Sequence, residues 1–264
     1  MYQPGPVSIL DVYEESVVRK MLDFWGDRCP VLATFQRYRA ASSSVVVLMS
    51  GGLDSAVLAT ACCRAGLDVV ALTATYGQRH DVEVAAARRI AASLGVRRHE
   101  HIDLPWLGRM SGSSLTTSAA DGAGEPVTSL SAYVPGRNLM MLAGALAVAE
   151  SVGSRVVLAG ATKDDVRAFP DCRPTFFEAV SQAATLGTLM GQNGRVVVEA
   201  PFSRLRKAQV VQLGSVLEAP MAMSHSCYAP VDNSPCGVCA ACSLRIQAFE
   251  EAGETDHAEA PPCR

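Results

Sequence analysis

Five apolar residues, Val45-Val46-Val47-Leu48-Met49, run directly into Ser50-Gly51-Gly52-Leu53-Asp54-Ser55, and a helix-forming stretch follows from Ser55 to Ala65. An apolar strand, a Gly-Gly turn and a helix start in immediate succession leave few folds open. Paired glycines let backbone N–H groups approach an anion closely. The helix N-terminus adds free N–H groups and the positive end of its dipole. Ser50 and Ser55 can add hydroxyl donors. Asp54 does not suit a bare phosphate, because two anions repel. A Mg²⁺ ion between them resolves the conflict, since it takes carboxylate and phosphate oxygens together. The pattern differs from the Walker loop, which needs a Lys after its last glycine.

The same strand-then-helix order repeats along the chain. Strands are expected at Val45–Met49, Asp68–Thr73, Val96–Ile102, Val156–Ala159 and Val196–Val198. Helices are expected at Ser55–Ala65, Asp81–Leu94, Arg137–Ser151, Pro174–Leu189, Leu205–Leu217 and Ser243–Glu251. Such alternation implies an α/β fold with a parallel sheet and helices on both faces. Ligands then sit beyond the carboxyl ends of the strands. Residues 1–43 read as an N-terminal extension, with a helix from Val12 to Trp25, a break at Pro30 and a linker from Ala40 to Ser44. Residues 44–220 form the main domain, 221–252 a C-terminal metal-binding segment and 253–264 a flexible tail. Gly108 to Ser131, rich in Ser, Gly and Thr, reads as a loop.

Three loops at the expected ligand-binding edge carry polar clusters. Thr75-Tyr76-Gly77-Gln78-Arg79-His80 follows the second strand. Val134-Pro135-Gly136-Arg137-Asn138 sets an Arg at a helix start, where its planar fork suits phosphate or carboxylate. Phe169-Pro170-Asp171-Cys172-Arg173-Pro174 offers an acceptor and a fork donor on a proline-stiffened turn, with Asp164 and Asp165 just before it. Cys172 reads as packing rather than as a nucleophile.

The nine cysteines are an odd number and scattered, which argues against a disulfide framework. Four of them cluster: eight residues separate Cys227 from Cys236, and Cys239 and Cys242 complete a CxxCxxC. Four thiolates with no open position favour a structural Zn²⁺; an iron–sulfur cluster competes for the same ligand spacing. A net charge of −3 and a pI near 6.0 do not suggest a nucleic-acid binder. There is no basic stretch followed by an apolar signal segment, and no apolar run reaches the ~20 residues of a membrane span. A cytoplasmic protein with no membrane partner is expected.

The loop Ser50–Ser55 resembles the SGGxDS loop of the ATP-pyrophosphatase superfamily, which activates substrates by adenylation. With YGQRH, VPGRN, PDCRP, the Arg206-Lys207 pair and the four-cysteine segment in this order, the chain resembles the 7-cyano-7-deazaguanine synthases of the QueC family from about Val45 to Phe249. The resemblance implies a Rossmann-like domain, similar to the adenine nucleotide alpha hydrolases, with a zinc-bearing C-terminal segment. It implies ATP, Mg²⁺ and Zn²⁺, a small-molecule deazapurine substrate with ammonia, and a homodimer. ATP would contact Ser50, Gly51, Gly52, Leu53, Asp54, Ser55, Tyr76, Gln78, Arg79 and His80. Asp54, Ser55, Arg137 and Lys207 would be catalytic. Arg137, Asn138, Asp165, Asp171 and Arg173 would hold the substrate, and Cys227, Cys236, Cys239 and Cys242 the zinc.

Two departures from the family pattern stand out: the forty-odd residues before the first strand, and Gly160–Pro170, where Lys163, Val166 and Arg167 replace a stretch usually rich in Asn, Tyr, Ser and Gly. They keep open a related ligase that passes the activated deazaguanine to a protein or other amine. A tRNA-thiolating enzyme with Cys172 as sulfur carrier is disfavoured by the acidic charge, and an idle zinc-bearing interaction module by the intact SGGLDS.

Overall fold

The computed structural model describes residues 32–78, 81–116, 128 and 131–258. The expected N-terminal helix from Val12 to Trp25, together with Arg79, His80 and most of the Ser/Gly/Thr-rich loop, lies outside the described residues. In chain order the elements are α1 (Leu32–Ala41), β1 (Ser44–Leu48), α2 (Leu53–Arg64), β2 (Asp68–Thr75), α3 (Val82–Ser93), β3 (Arg98–Asp103) and α4 (Pro105–Ser111). After these come α5 (Arg137–Ser151), β4 (Val156–Leu158), α6 (Lys163–Ala168), α7 (Pro174–Gly187), α8 (Leu189–Gln192), β5 (Val197–Glu199), α9 (Lys207–Leu217) and α10 (Ala240–Ala252).

The five strands form one parallel sheet in the order β3-β2-β1-β4-β5. The chain builds outward from β1 on one side, then crosses back to build outward on the other. The crevice between β1 and β4 is therefore the point where strand order reverses, the usual seat of a ligand in such sheets.

Alternate residues of β1 serve opposite faces. Val45 and Val47 pack into a core with α1, α2, α3 and α9, including Phe35, Ile90 and Leu213. Val46 faces the other core, with Leu142 of α5 and Phe177 and Val180 of α7. A strand buried on both faces needs an unbroken apolar run, which is what the sequence shows. β3 is the opposite case. It is an edge strand, Arg98-His99-Glu100-His101-Ile102-Asp103, with no fully buried residue. Charge on an edge discourages pairing with other chains.

Three helices depart from the sequence expectation. α1 lies where a break and a linker are expected, and it inserts Phe35 and Tyr38, both fully buried, under the sheet. The Tyr38 hydroxyl donates to Glu199 Oε2 at 2.6 Å, tying α1 to the end of β5. α4 opens on Pro105 at the start of the expected loop. α6 is only six residues long, and it forms because Thr162 and Asp165 make a capping box.

Candidate active site

The loop between β1 and α2 is folded on itself. Gly52 N–H donates to Ser50 Oγ at 3.2 Å, and Ser55 Oγ donates to the Gly52 carbonyl at 2.9 Å. Gly51 has φ of 85°, and a Cβ there would run into the Glu83 carbonyl oxygen and lie 2.8 Å from the Ala87 nitrogen. Only glycine lets α3 press this closely on the loop. Gly160, just after β4, crosses above the start of α2, where an added Cβ would sit 3.1 Å from Asp54 C and Ser55 N. Gly51→Ala is expected to lower stability by more than the ~1–2 kcal/mol of left-handed backbone strain, because the clash with α3 adds to it. A thermal melt checks this; an unchanged midpoint would contradict the close approach of α3.

Asp54 stands in the first turn of α2 and meets Lys207, the first residue of α9, with Oδ2 and Nζ 3.0 Å apart. Both side chains are largely buried, at 19% and 10% exposure. Burial pushes the Asp54 carboxyl up, against the opposing pull of Lys207. Burial also opposes the charge of Lys207, but attraction to Asp54 and Asp165 outweighs it and raises the ammonium pKa. Lys207 therefore stays protonated. Its backbone N–H donates to Asp164 Oδ2 at 2.9 Å, and Lys163 N–H donates to the Leu205 carbonyl at 2.8 Å, so α6 and α9 start from one anchored corner.

The other oxygen of Asp54, Oδ1, is buried without a hydrogen-bond partner among the described residues. A buried carboxylate oxygen left in this way is costly unless a cation completes it. A hard divalent cation such as Mg²⁺ fits that requirement.

A cavity of about 260 Å³ opens directly above the loop. Ser50, Gly52, Asp54 and Ser55 form its floor, and Tyr76 and Gln78 one flank. Arg137 and Asn138 at the start of α5, Asp165 on α6, and Phe169 and Cys172 on the following turn close the other side. The Arg137 guanidinium lies 5.3 Å from the centre of the Tyr76 ring and donates to its hydroxyl at 3.3 Å. Asn138 Nδ2 donates to the Asp171 carbonyl at 3.3 Å, joining the VPGRN and PDCRP turns. Asp165 is engaged by its own capping box, accepting from Thr162 N–H and hydroxyl at 2.8 Å each.

Not every expected residue faces the cavity. Leu53 is fully buried in the core, and Arg173 is exposed; neither borders the cavity, and nor does Asp171. Lys207 reaches the site through Asp54. Lys163 and Arg167, part of the departure from the family pattern, are exposed, and of α6 only Asp165 lines the cavity. Burial pushes the Cys172 thiol up to about 12, so it is protonated near neutrality and a poor sulfur carrier.

Tyr228 and Glu83 are among the cavity residues that escape the sequence reading. Tyr228 immediately follows the first residue of the four-cysteine group. Glu83 sits in the first turn of α3, and burial raises its carboxyl to about 7. Position is the available signal for Glu83, an acid just past the YGQRH loop at a helix start.

The four cysteine sulfurs lie within 4.8 Å of one another, with Cys227 and Cys239 4.0 Å apart. A tetrahedral ion with ~2.3 Å bonds to sulfur places its ligands ~3.8 Å apart, so the group fits one metal ion. A tight turn at Asp232 and Asn233, both with positive φ, folds the chain back between Cys227 and Cys236. Backbone N–H groups of Ala229 and Cys236 point at Cys227 Sγ, 3.3 and 3.2 Å away, which favours thiolate. The segment also touches the phosphate loop, since His225 N–H donates to the Gly51 carbonyl at 2.9 Å. Arg245 of α10 clamps it from behind, with bonds to Asp256, Ser224, Ser226 and the Met221 carbonyl.

A parallel sheet with a glycine-rich loop at its switch point, a buried Asp–Lys pair and a four-thiol cluster defines an α/β protein of the SGGxDS type. Residues 44–253 match the family model described as "Queuosine biosynthesis protein QueC". The chain is 44% identical over 225 residues to a 7-cyano-7-deazaguanine synthase of Frankia casuarinae, a match covering 81% of this chain and 93% of the relative. It is 45% identical over 221 residues to a protein of the same name from Aromatoleum aromaticum, covering 80% and 95%. The chain belongs to the QueC family.

Proposed function

We propose that this chain converts 7-carboxy-7-deazaguanine and ammonia to 7-cyano-7-deazaguanine at the expense of ATP, in the cytoplasm. The observation that carries the reading is the cavity joining the Ser50–Ser55 loop to the Arg137 and Asp165 side, in a chain whose relatives bear that name. The loop and the α2 N-terminus would hold the phosphates. Asp54 Oδ1 would hold Mg²⁺, which when bound screens phosphate charge. Lys207 fixes Asp54 in place and adds a positive charge beneath it.

The substrate carboxylate oxygen attacks the α-phosphorus, and pyrophosphate leaves. Ammonia attacks the resulting acyl carbon, the C–O bond to AMP breaks, and nitrogen loses a proton to give the amide. The amide oxygen then attacks the α-phosphorus of a second ATP, and a second pyrophosphate leaves. Loss of AMP and both N–H protons forms the nitrile. Arg137, braced on Tyr76, supplies positive charge opposite the loop. Most of the catalytic work is positioning and charge stabilisation. The four cysteines would hold Zn²⁺ as a closed structural site, fixing Tyr228 in the cavity wall.

Mass spectrometry of the products formed from 7-carboxy-7-deazaguanine, ATP and ammonium tests the reading. The expected result is the nitrile, with two ATP consumed per molecule and the amide transient. One ATP per turnover and a product that stays amide in excess ATP and ammonium would refute it. Transfer of the deazaguanine mass to a polypeptide would instead favour the amine-ligase alternative.

A further inference from the structure

Behind the main cavity lies a second, of about 20 Å³, bordered by Tyr76, Gln78, Glu83, His225, Cys227 and Tyr228. Tyr76, Gln78, Glu83 and Tyr228 border both spaces, so the two adjoin along this wall. A volume of this order holds one molecule the size of water, for which ~10–15 Å³ suffices, and leaves no room for a second. Its surroundings suit a small cation better than water. Tyr76 and Tyr228 both border it. Glu83 supplies an anionic oxygen.

Glu83 is also the carboxylate left over in this site. Asp54 is paired with Lys207, and Asp165 is committed to Thr162. The Glu83 side chain makes no hydrogen bond or ion pair with another described residue, although Arg137 lies close enough to lower its pKa against the larger effect of burial.

We propose that the small cavity is the ammonium-binding niche and that Glu83 is the group that binds the ion and takes its proton. This rests on the functional reading given above. Ammonium enters as NH₄⁺ and one N–H bond breaks, its proton passing to a Glu83 carboxylate oxygen. The nitrogen lone pair so released attacks the acyl carbon of the adenylate, and the C–O bonding pair leaves with AMP. The second proton leaves the nitrogen of the new C–N bond after Glu83 has returned the first to solvent. The groups facing Glu83 are Tyr76 beyond β2, Arg137 of α5, and His225, Cys227 and Tyr228 of the four-cysteine segment. Burial brings the Glu83 carboxyl up to about 7, in the range where it can accept and release a proton.

The test separates the two halves of the reaction. Substrate-dependent exchange of pyrophosphate into ATP reports adenylation alone, and amide formation against ammonium concentration reports the niche. For Glu83→Gln the expected result is a rise of about tenfold or more in the KM for ammonium, corresponding to at least ~1.4 kcal/mol, with exchange reduced by less than about threefold. An unchanged KM for ammonium, or exchange falling in parallel with amide formation, would overturn the proposal. A measurement on the native chain stands even if that variant fails to fold. Methylammonium, larger by one methyl group, should be used at least ~100-fold less efficiently than ammonium, and use within tenfold would overturn the niche. Native protein that exchanges pyrophosphate but forms no ammonium-dependent product would sink the functional reading itself, whereas normal product with an indifferent Glu83→Gln variant would sink only the niche.

Discussion

Asp54→Asn is expected to leave a folded protein that releases pyrophosphate at least ~10³-fold more slowly than the native chain, an effect of the size seen when a preorganised charge is removed from beside a transition state. Asparagine keeps the shape of the side chain and one carbonyl oxygen to accept from Lys207, 3.0 Å away in the native pair. What it lacks is the negative charge needed to hold a divalent cation at the unpartnered Oδ1 position. Asp54→Ala is a harsher change, because it strands the buried Lys207 ammonium, and removing one member of such a pair costs about 3–5 kcal/mol. Thermal melts of the two variants, set beside a pyrophosphate-release assay, separate the effects. Release within tenfold of the native rate in a folded Asp54→Asn protein would remove this loop as the chemical site.

The second large effect concerns the four-cysteine centre. The purified protein is expected to carry one Zn²⁺ per chain, and Cys239→Ser to lose most of that metal and several kcal/mol of stability, since metal binding in such sites is folding free energy. Activity should follow, because the same segment supplies Tyr228 to the cavity wall and the His225 bond to Gly51. Elemental analysis and a melting curve are the measurements. Iron with visible absorbance in place of zinc would make the centre a cluster, and a metal-free protein of full stability would leave the cysteines without a structural role.

Local chemistry is legible from sequence wherever it is carried by neighbours in the chain. Ser50–Ser55 after an apolar strand, and Cys236-x-x-Cys239-x-x-Cys242, each bring their ligands together within one turn, so spacing alone exposes them. The parallel sheet is legible for a related reason, since its inner strands are buried on both faces and must be apolar throughout. Residues that act through distant neighbours are not. Phe35 and Tyr38 are the two fully buried positions among the described side chains of α1, too few to show a period. Glu83 is one acid among many until Gly51 brings α3 against the phosphate loop. α6 has no apolar face at all and is held by Thr162 and Asp165, a signal that the T-x-x-D spacing does carry. Conversely, Arg173 resembles a ligand because it follows Asp171 in a stiff turn, yet the turn faces it outward.

The bond from His225 to Gly51 has a consequence for synthesis. The Ser50–Ser55 loop emerges from the ribosome well before its brace, which is followed by all four thiols and the Arg245 clamp. A nascent or truncated chain can thus form β1 and the loop while lacking the wall that completes the pocket. On the function proposed above, adenylation is therefore expected only from chains that extend past α10.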